Sequence, residues 1–311
     1  MTQTFRTEGN YRDASRLGAA ELRAAMAGGE ILQATALAFD TRRQLRFELG
    51  GVRGVMPFAD CAEGADTGAV RDIAVLTRVG RATCFVIEGM DEDAEGRPFY
   101  RLSRAKAQQL CRADYLDHLV PGDILPCTVT HIESFGAFCD VGCGISALLP
   151  IDCMSVSRIS SPADRVRVGQ QILCAVRSRD AQGRLVLTIR ELLGTWTENA
   201  AAFSAGETVV GIVRSVEEYG TFVEIAPNLA GLAESCPDLR PGQAVSVYIK
   251  SILPEKMKIK LVIVNRCLGQ GHRFDLQYYI TEGHIDRWVY STPGSKKQIV
   301  TEFACPACDP A

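Results

Sequence analysis

The chain has 311 residues, too many for one ordinary core and enough for two to four domains. Apolar residues make up 47% and charged residues 23%, the balance of a folded chain rather than a disordered one. The 34 basic and 37 acidic residues leave a net charge of −3, which argues against a uniformly basic, sequence-independent duplex DNA binder.

No apolar run reaches the roughly 18 residues that a membrane span needs, so no membrane association is expected. Met1 to Gly29 is charged and lacks an apolar signal core, which predicts a cytoplasmic protein. Of the twelve cysteines, Cys84, Cys127, Cys139 and Cys174 lie inside apolar strand-like runs, where they act as small hydrophobes. Reduced thiols are expected throughout.

In chain order, 1–27 reads as an N-terminal helical segment. A helix over 10–27 would pack the stripe Leu17, Ala20, Leu22 and Met26 on the first barrel. Residues 28–117 carry a degenerate copy of a repeat that is clearer downstream. Within that copy, Asp91-Glu92-Asp93 with Glu95 precedes Gly96 and reads as a solvated hairpin tip rather than a metal cluster. A second helix is expected over 104–118, with Ala107, Leu110, Cys111 and Leu116 as its apolar positions.

Residues 118–195 hold the best-formed copy, with strands expected over 124–132, 136–141, 145–149, 171–177 and 184–190. The stretch 118–157 has no Lys or Arg, whereas 158–190 holds Arg158, Arg165, Arg167, Arg177, Arg179, Arg184 and Arg190. That concentration is either a solvated face or a groove that tracks phosphates. A helical linker over 191–203 leads to the last copy, 204–265.

The tail, 266–311, reads as a small β-hairpin module with strands over 274–280, 284–291 and 296–303. Trp288 and Tyr290 share a face there, either covering a small core or extending a nucleic-acid surface. Cys305-Pro306-Ala307-Cys308 is half a zinc site, but Cys267, His272 and His284 have no matching spacing, so no metal is expected.

The repeat decides the architecture. Ile132-Glu133-Ser134-Phe135-Gly136-Ala137-Phe138-Cys139-Asp140-Val141 aligns without a gap on Val216-Glu217-Glu218-Tyr219-Gly220-Thr221-Phe222-Val223-Glu224-Ile225. The same offset carries Ile145 to Pro150 onto Leu229 to Glu234, and Val168-Gly169-Gln170 parallels Pro241-Gly242-Gln243 after a deletion. In the first copy Val52 to Pro57 falls on Ile145 to Pro150, and Val79-Gly80-Arg81 parallels Val168-Gly169-Gln170. Short strands, turn signals and no helical period predict a small closed barrel per copy.

Alternation places Ala137, Cys139 and Val141 inside and Phe138 and Asp140 outside. In the last copy Thr221, Val223 and Ile225 point in, and Phe222 and Glu224 point out. An outward Phe at the same place twice suggests a platform on which bases stack. Gly136 and Gly220 would leave the approach to it open.

The succession Gly-Asp/Glu, Phe/Tyr-Gly-x-Phe, a Gly-Leu-type turn, Val-Gly-Gln and Leu-Thr-x-Arg resembles the repeated RNA-binding domain of the bacterial small-subunit ribosomal protein S-one family. The resemblance is strong over 120–193, good over 204–264 and partial over 28–116. Longer words such as Ser155 to Ser160, Glu191 to Trp196 and Gly283 to Trp288 are similar to the family's short Gram-positive form. It implies a mainly β chain of three tandem five-stranded OB-fold barrels joined by short helices, plus a small C-terminal antiparallel β module.

The family's RNA face uses two aromatics, a His, an Asp and a late basic residue. Carried across, these fall on Phe135, Phe138, Asp180 and Arg184 in the middle barrel and on Tyr219 and Phe222 in the last. One ring of each pair could instead be core, and Asp180 with Arg184 could be a plain turn pair around Gly183. The family's His is replaced by Pro150 and Glu234, and Lys250, Lys256, Lys258 and Lys260 are placed to compensate in the last barrel. Arg42 and Leu45 replace the aromatics of the first barrel, which is expected to dock on protein, the small ribosomal subunit, unless Arg42, Arg43, Arg46 and Arg53 hold phosphates.

No Walker loop, Gly-x-Ser-x-Gly elbow or His-Glu-x-x-His word is present, and His118 and His131 are isolated. The reading is a monomeric, non-enzymatic, cofactor-free protein that binds single-stranded mRNA in translation. The alternatives are an accessory RNA-binding factor in decay or processing and, more remotely, a protein–protein adaptor.

Overall fold

The computed structural model describes residues 4–266, 269, 271 and 273–303. The chain divides into two compact units, Met1–Leu119 with Asp140–Ser146, and Val120–Cys139 with Ala147–Ala311. None of the described helices is long and apolar enough to cross a membrane.

The first unit begins with α1 (Ala19–Gly28). This helix is shorter than the apolar stripe predicts because Gly18 is extended and serves as its N-cap, with the Glu21 carboxylate accepting from the Gly18 amide at 3.0 Å. It ends at Gly29, whose φ of 62° is the left-handed C-cap that glycine adopts freely. Then come β1 (Leu32–Thr35), β2 (Ala38–Phe39), β3 (Gln44–Leu49), β4 (Val52–Pro57), α2 (Asp72–Leu76), β5 (Ala82–Glu92), β6 (Pro98–Ser103) and α3 (Arg104–Asp114). The Ser103 hydroxyl caps α3 by accepting from the Lys106 amide at 3.1 Å.

The strands form one six-stranded sheet, β1-β5-β6-β4-β3-β2, which stays open where the two later copies close. Leu22, Leu32, Leu45, Phe47, Phe85, Tyr100 and Leu102 fill its core. The residue at the second aromatic-equivalent position, Leu45, is thus core and not a binding surface.

Two closed five-stranded barrels make up the rest of the main sheet structure. The first comprises β7 (Ile124–Glu133), β8 (Gly136–Asp140), β9 (Ser146–Pro150), β10 (Gln171–Arg179) and β11 (Leu185–Thr188), closed in the order β10-β11-β9-β8-β7. After α4 (Trp196–Ala200) come β12 (Thr208–Glu217), β13 (Gly220–Ala226), β14 (Leu229–Ala233), β15 (Ala244–Leu253) and β16 (Lys258–Asn265), closed as β12-β13-β14-β16-β15. The two orders are the same circuit, as the gapless internal repeat requires. The linker helix is only a turn and a half because Gly194 sits at φ 82° and Thr195 starts the helix as a capping box with Glu198.

Among the described residues the tail holds two strands, β17 (Arg287–Val289) and β18 (Val300–Glu302), rather than three. The segment 274–280 makes no ladder. It is fixed by single bonds, including the Leu173 amide to the Tyr278 hydroxyl at 3.1 Å and the Tyr279 amide to the Leu192 carbonyl at 2.8 Å. Trp288, Tyr290 and Phe303 are buried in the same hydrophobic cluster as Val223, Val245, Val247 and Leu261 of the second barrel. Trp288, Tyr290 and Phe303 are therefore core, not an exposed surface.

Candidate nucleic-acid interface

In the first barrel Phe135 lies at the tip between β7 and β8, 54% exposed, and Phe138 stands half-buried on β8. Their ring centroids are 6.1 Å apart with planes at 89°. In the second barrel Tyr219 is 72% exposed at the same tip and Phe222 is half-buried on β13. Their centroids are also 6.1 Å apart, at 83°. A strongly exposed ring held edge-on by a half-buried one is thus built twice, and neither pair belongs to a barrel interior. Each leaves a ring face against which a base can stack.

Alternation fails for the two carboxylates beside these rings. Asp140 and Glu224 do leave the barrel interior, yet both are buried. Asp140 accepts from the backbone amides of Glu8 at 2.7 Å, Gly142 at 2.8 Å and Gly144 at 3.0 Å. Glu224 is held by Arg165 and by Arg214. The two glycines also have a different reason from the one the sequence suggested. A Cβ on Gly136 would stand 2.6 Å from the Leu149 carbonyl oxygen, and one on Gly220 would stand 2.7 Å from that of Ala233. Strand-to-strand approach within each barrel, not access for a ligand, demands glycine there.

Asp180 and Arg184 clamp one turn. The Arg184 Nε donates to the Asp180 carboxylate at 2.7 Å, and the amides of Gln182 and Arg184 both donate to it at 2.9 Å. Desolvation pulls this carboxyl up, but the bonds from Arg184 and Gln182 outweigh it and hold the group below its ordinary value. The Arg184 guanidinium remains exposed on its outer side.

In the second barrel the register builds a row across the outer face. Phe222 pairs with Leu232, and Leu232 lies beside Lys260. With strands about 4.8 Å apart, the ammonium stem starts roughly 10 Å from the ring. Lys258 is exposed on the same face, and Lys250 sits exposed where the register slips between Ile249 and Ser251. In the first barrel the residue beside Leu148 is Val186, so the row there ends without a charge.

The arginine-rich stretch is not one groove. Arg165 is 1% exposed and spent on Glu224. Arg190 bonds Glu191 at 2.9 Å, and Arg177 lies 5.8 Å above the Phe303 ring. Arg158 and Arg167 remain at least partly exposed.

One ring escaped the sequence reading. His131, exposed on β7, stacks beside Phe138 with centroids 6.4 Å apart and planes at 25°. Its Nε2 bonds the Glu133 carboxylate at 2.7 Å.

Among the described residues no group of three or more His, Cys, Asp or Glu could hold a metal ion. Asp93 instead receives Arg53 and Arg97 at the β5–β6 tip, as a hairpin end would. His284 bonds Asp123 at 2.7 Å, and the remaining zinc candidates, Cys267, His272, Cys305 and Cys308, lie outside the described residues.

Two closed barrels of one circuit, each with an outward aromatic pair, define a tandem OB-type barrel protein. The S1 RNA binding domain family model matches residues 119–190, so this part of the chain belongs to that family. The chain is 30% identical over 228 residues to small ribosomal subunit protein bS1 of Staphylococcus haemolyticus, covering 68% of this chain and 56% of that protein. It is 27% identical over 237 residues to the bS1 protein of Leuconostoc lactis, covering 71% and 53%. For Staphylococcus epidermidis bS1 the figures are 31% over 231 residues, 68% and 56%. The chain thus spans about half the length of the curated relatives it matches. The family resemblance read from the repeated words holds, and the relatives are mostly Gram-positive, as the longer words implied.

Proposed function

We propose that this protein binds single-stranded RNA in translation, together with the small ribosomal subunit, and that the two aromatic pairs Phe135/Phe138 and Tyr219/Phe222 are where bases stack. The observation that carries the reading is the duplication of one ring geometry at the same tip of two barrels. Lys250, Lys258 and Lys260 follow the backbone past the second pair, and Arg184 does so past the first. The chain has no chemistry of its own and works in the cytoplasm.

The finer assignment of partners gives the first domain to protein rather than RNA. Three of its four candidate phosphate ligands are already paired: Arg43 with Asp72, Arg46 with Asp40 and Arg53 with Asp93. Leu37, Ile73, Leu76 and Val79 are exposed apolar residues on neighbouring backbone of that domain, since Ala36 bridges Val79 and the Val79 amide bonds the Leu76 carbonyl. A surface of this kind suits a protein partner on the subunit.

Fluorescence-anisotropy titration of a short single-stranded RNA at two salt concentrations tests the reading. Phe138→Ala and Phe222→Ala should each weaken binding by about 1 kcal/mol or more, the contribution of one stacked base. Binding untouched by both would remove RNA from these faces. Co-sedimentation with ribosomal subunits then separates translation from a role in RNA decay, and wild-type protein that binds no RNA would leave the adaptor reading.

A further inference from the structure

The geometry points to His131 as a third stacking ring of the first barrel's RNA face, one that extends the Phe135/Phe138 pair and has no counterpart in the second barrel. This inference rests on the proposed RNA reading of that face.

Residue parity would send His131 inward. Leu125, Cys127 and Val129 are all buried barrel residues, and His131 is the next member of that series. Instead the ring is exposed. The register of the second barrel's equivalent strands shows how. There Val213 pairs with Val223, and the next pair is Ser215 with Phe222, with a bulge between. At the repeat offset Ser215 corresponds to His131 and Phe222 to Phe138. The bulge inserts one residue, reverses the parity of the strand end and re-aims the side chain beyond it. In the first barrel the consecutive exposure of Thr130 and His131 breaks the alternation at the equivalent place, and the nominally interior position stands beside Phe138.

The result is a near-parallel ring beside Phe138, at 25° and 6.4 Å, while Phe135 meets the same Phe138 edge-on at 89°. Phe138 is therefore shared by two other rings, and the three make one surface. The Glu133 carboxylate on the His131 Nε2 fixes the imidazole's orientation, so little rotamer freedom is lost when a base arrives. The Thr130 hydroxyl ties the strand end back to the Phe138 carbonyl at 3.1 Å, holding the two ring-bearing segments together. In the second barrel the side chain opposite Phe222 is the hydroxyl of Ser215, and its face compensates with Lys260 in the row where the first barrel has Val186. The two barrels thus bind by different mixtures: three rings and little charge in one, two rings and lysines in the other.

Anisotropy titration of the full chain with a fluorescein-labelled single-stranded RNA of about twelve nucleotides would decide it. His131→Ala should weaken binding at least about fivefold, the lower bound for one stacked base. His131→Phe should restore affinity to within about twofold of wild type, and Ser215→His should tighten it. The His131 side chain is exposed, so these changes leave folding intact, which circular dichroism would check. Phe138→Ala run alongside keeps the two ideas apart. If Phe138→Ala weakens binding and His131→Ala does not, the third ring is overturned while the RNA face stands. If neither weakens binding, the RNA reading of this face itself falls. If His131→Phe is as weak as His131→Ala, the ring does not act by stacking and the inference is overturned.

Discussion

The Arg165 guanidinium lies against the Glu224 carboxylate with both side chains sealed from water, at 1% and 0% exposure. The Arg165 Nη1 reaches the far oxygen at 3.1 Å, and its Nη2 donates to the Ser155 hydroxyl at 2.7 Å. Arg214 reaches the same carboxylate through Nε at 2.7 Å and also holds Asp164 at 2.8 Å. A loop of the first barrel, 155–165, is thereby tied to strands β12 and β13 of the second. Asn228 adds to the tie, accepting from the Val156 amide at 2.8 Å and donating to the Arg190 carbonyl at 2.8 Å. The two aromatic pairs therefore sit on one framework with a fixed spacing, and on the proposed reading an RNA strand that engages both would gain from effective concentration.

Removing one partner of this network strands a buried charge. Glu224→Gln and Arg165→Met should each cost about 3–5 kcal/mol, whereas the double variant should cost clearly less than the sum. Both tryptophans of the chain, Trp196 and Trp288, are buried in the same unit, so urea denaturation tracked by tryptophan fluorescence reads this unit alone. Additive losses would show that the pair is not coupled.

Gly136→Ala and Gly220→Ala test whether these glycines serve the barrel or the ligand. Each methyl group would meet backbone oxygen of the adjacent strand within 2.7 Å, so the strands must separate. A loss of roughly 1–3 kcal/mol is expected, seen as a melting point several degrees lower. Unchanged melting with weakened RNA binding would return the glycines to the binding surface.

These same residues mark how far the sequence reached. The gapless repeat was enough to specify two barrels of one circuit, and the in-facing set Ala137, Cys139 and Val141 is buried as alternation requires. Alternation reports which side of a sheet a residue takes, but not what covers that side, so Asp140 and Glu224 read as solvent-facing when each is enclosed by a network. Nor does it report which rings meet across neighbouring strands, so His131 read as an isolated histidine and not as a neighbour of Phe138. Helix ends were misplaced where a single glycine intervened, Gly18 within the apolar stripe of 10–27 and Gly194 within the linker 191–203.

Trp288→Ala probes the tail. The ring is packed with Tyr290, centroids 5.7 Å apart, inside the core cluster of the second barrel. Truncation should cost about 3–5 kcal/mol, as for other buried large aromatics, and lower the stability of the unit without a direct effect on RNA affinity of the folded protein. A variant as stable as wild type that binds RNA more weakly would make the tail part of the RNA surface after all.

Asp140 supplies a pH test in the other unit. Burial pushes its carboxyl up to about 6, against the amides of Gly142 and Gly144 and the charges of Arg104 and Arg78, which pull it down. The folded state therefore holds the proton more tightly than an unfolded chain, whose aspartates titrate near 3.9. By linkage, the group's stabilising contribution is fully present below about 3.9, and it is lost as pH rises through about 6. Carbon-13 NMR of aspartate-labelled protein should find one buried carboxyl with a midpoint near 6, assigned by its disappearance in Asp140→Asn, while Asp180 titrates below the ordinary range. A midpoint for Asp140 at or under the ordinary value would mean that the three backbone amides on it outweigh its burial, and stability would then fall, not rise, on acidification through that range.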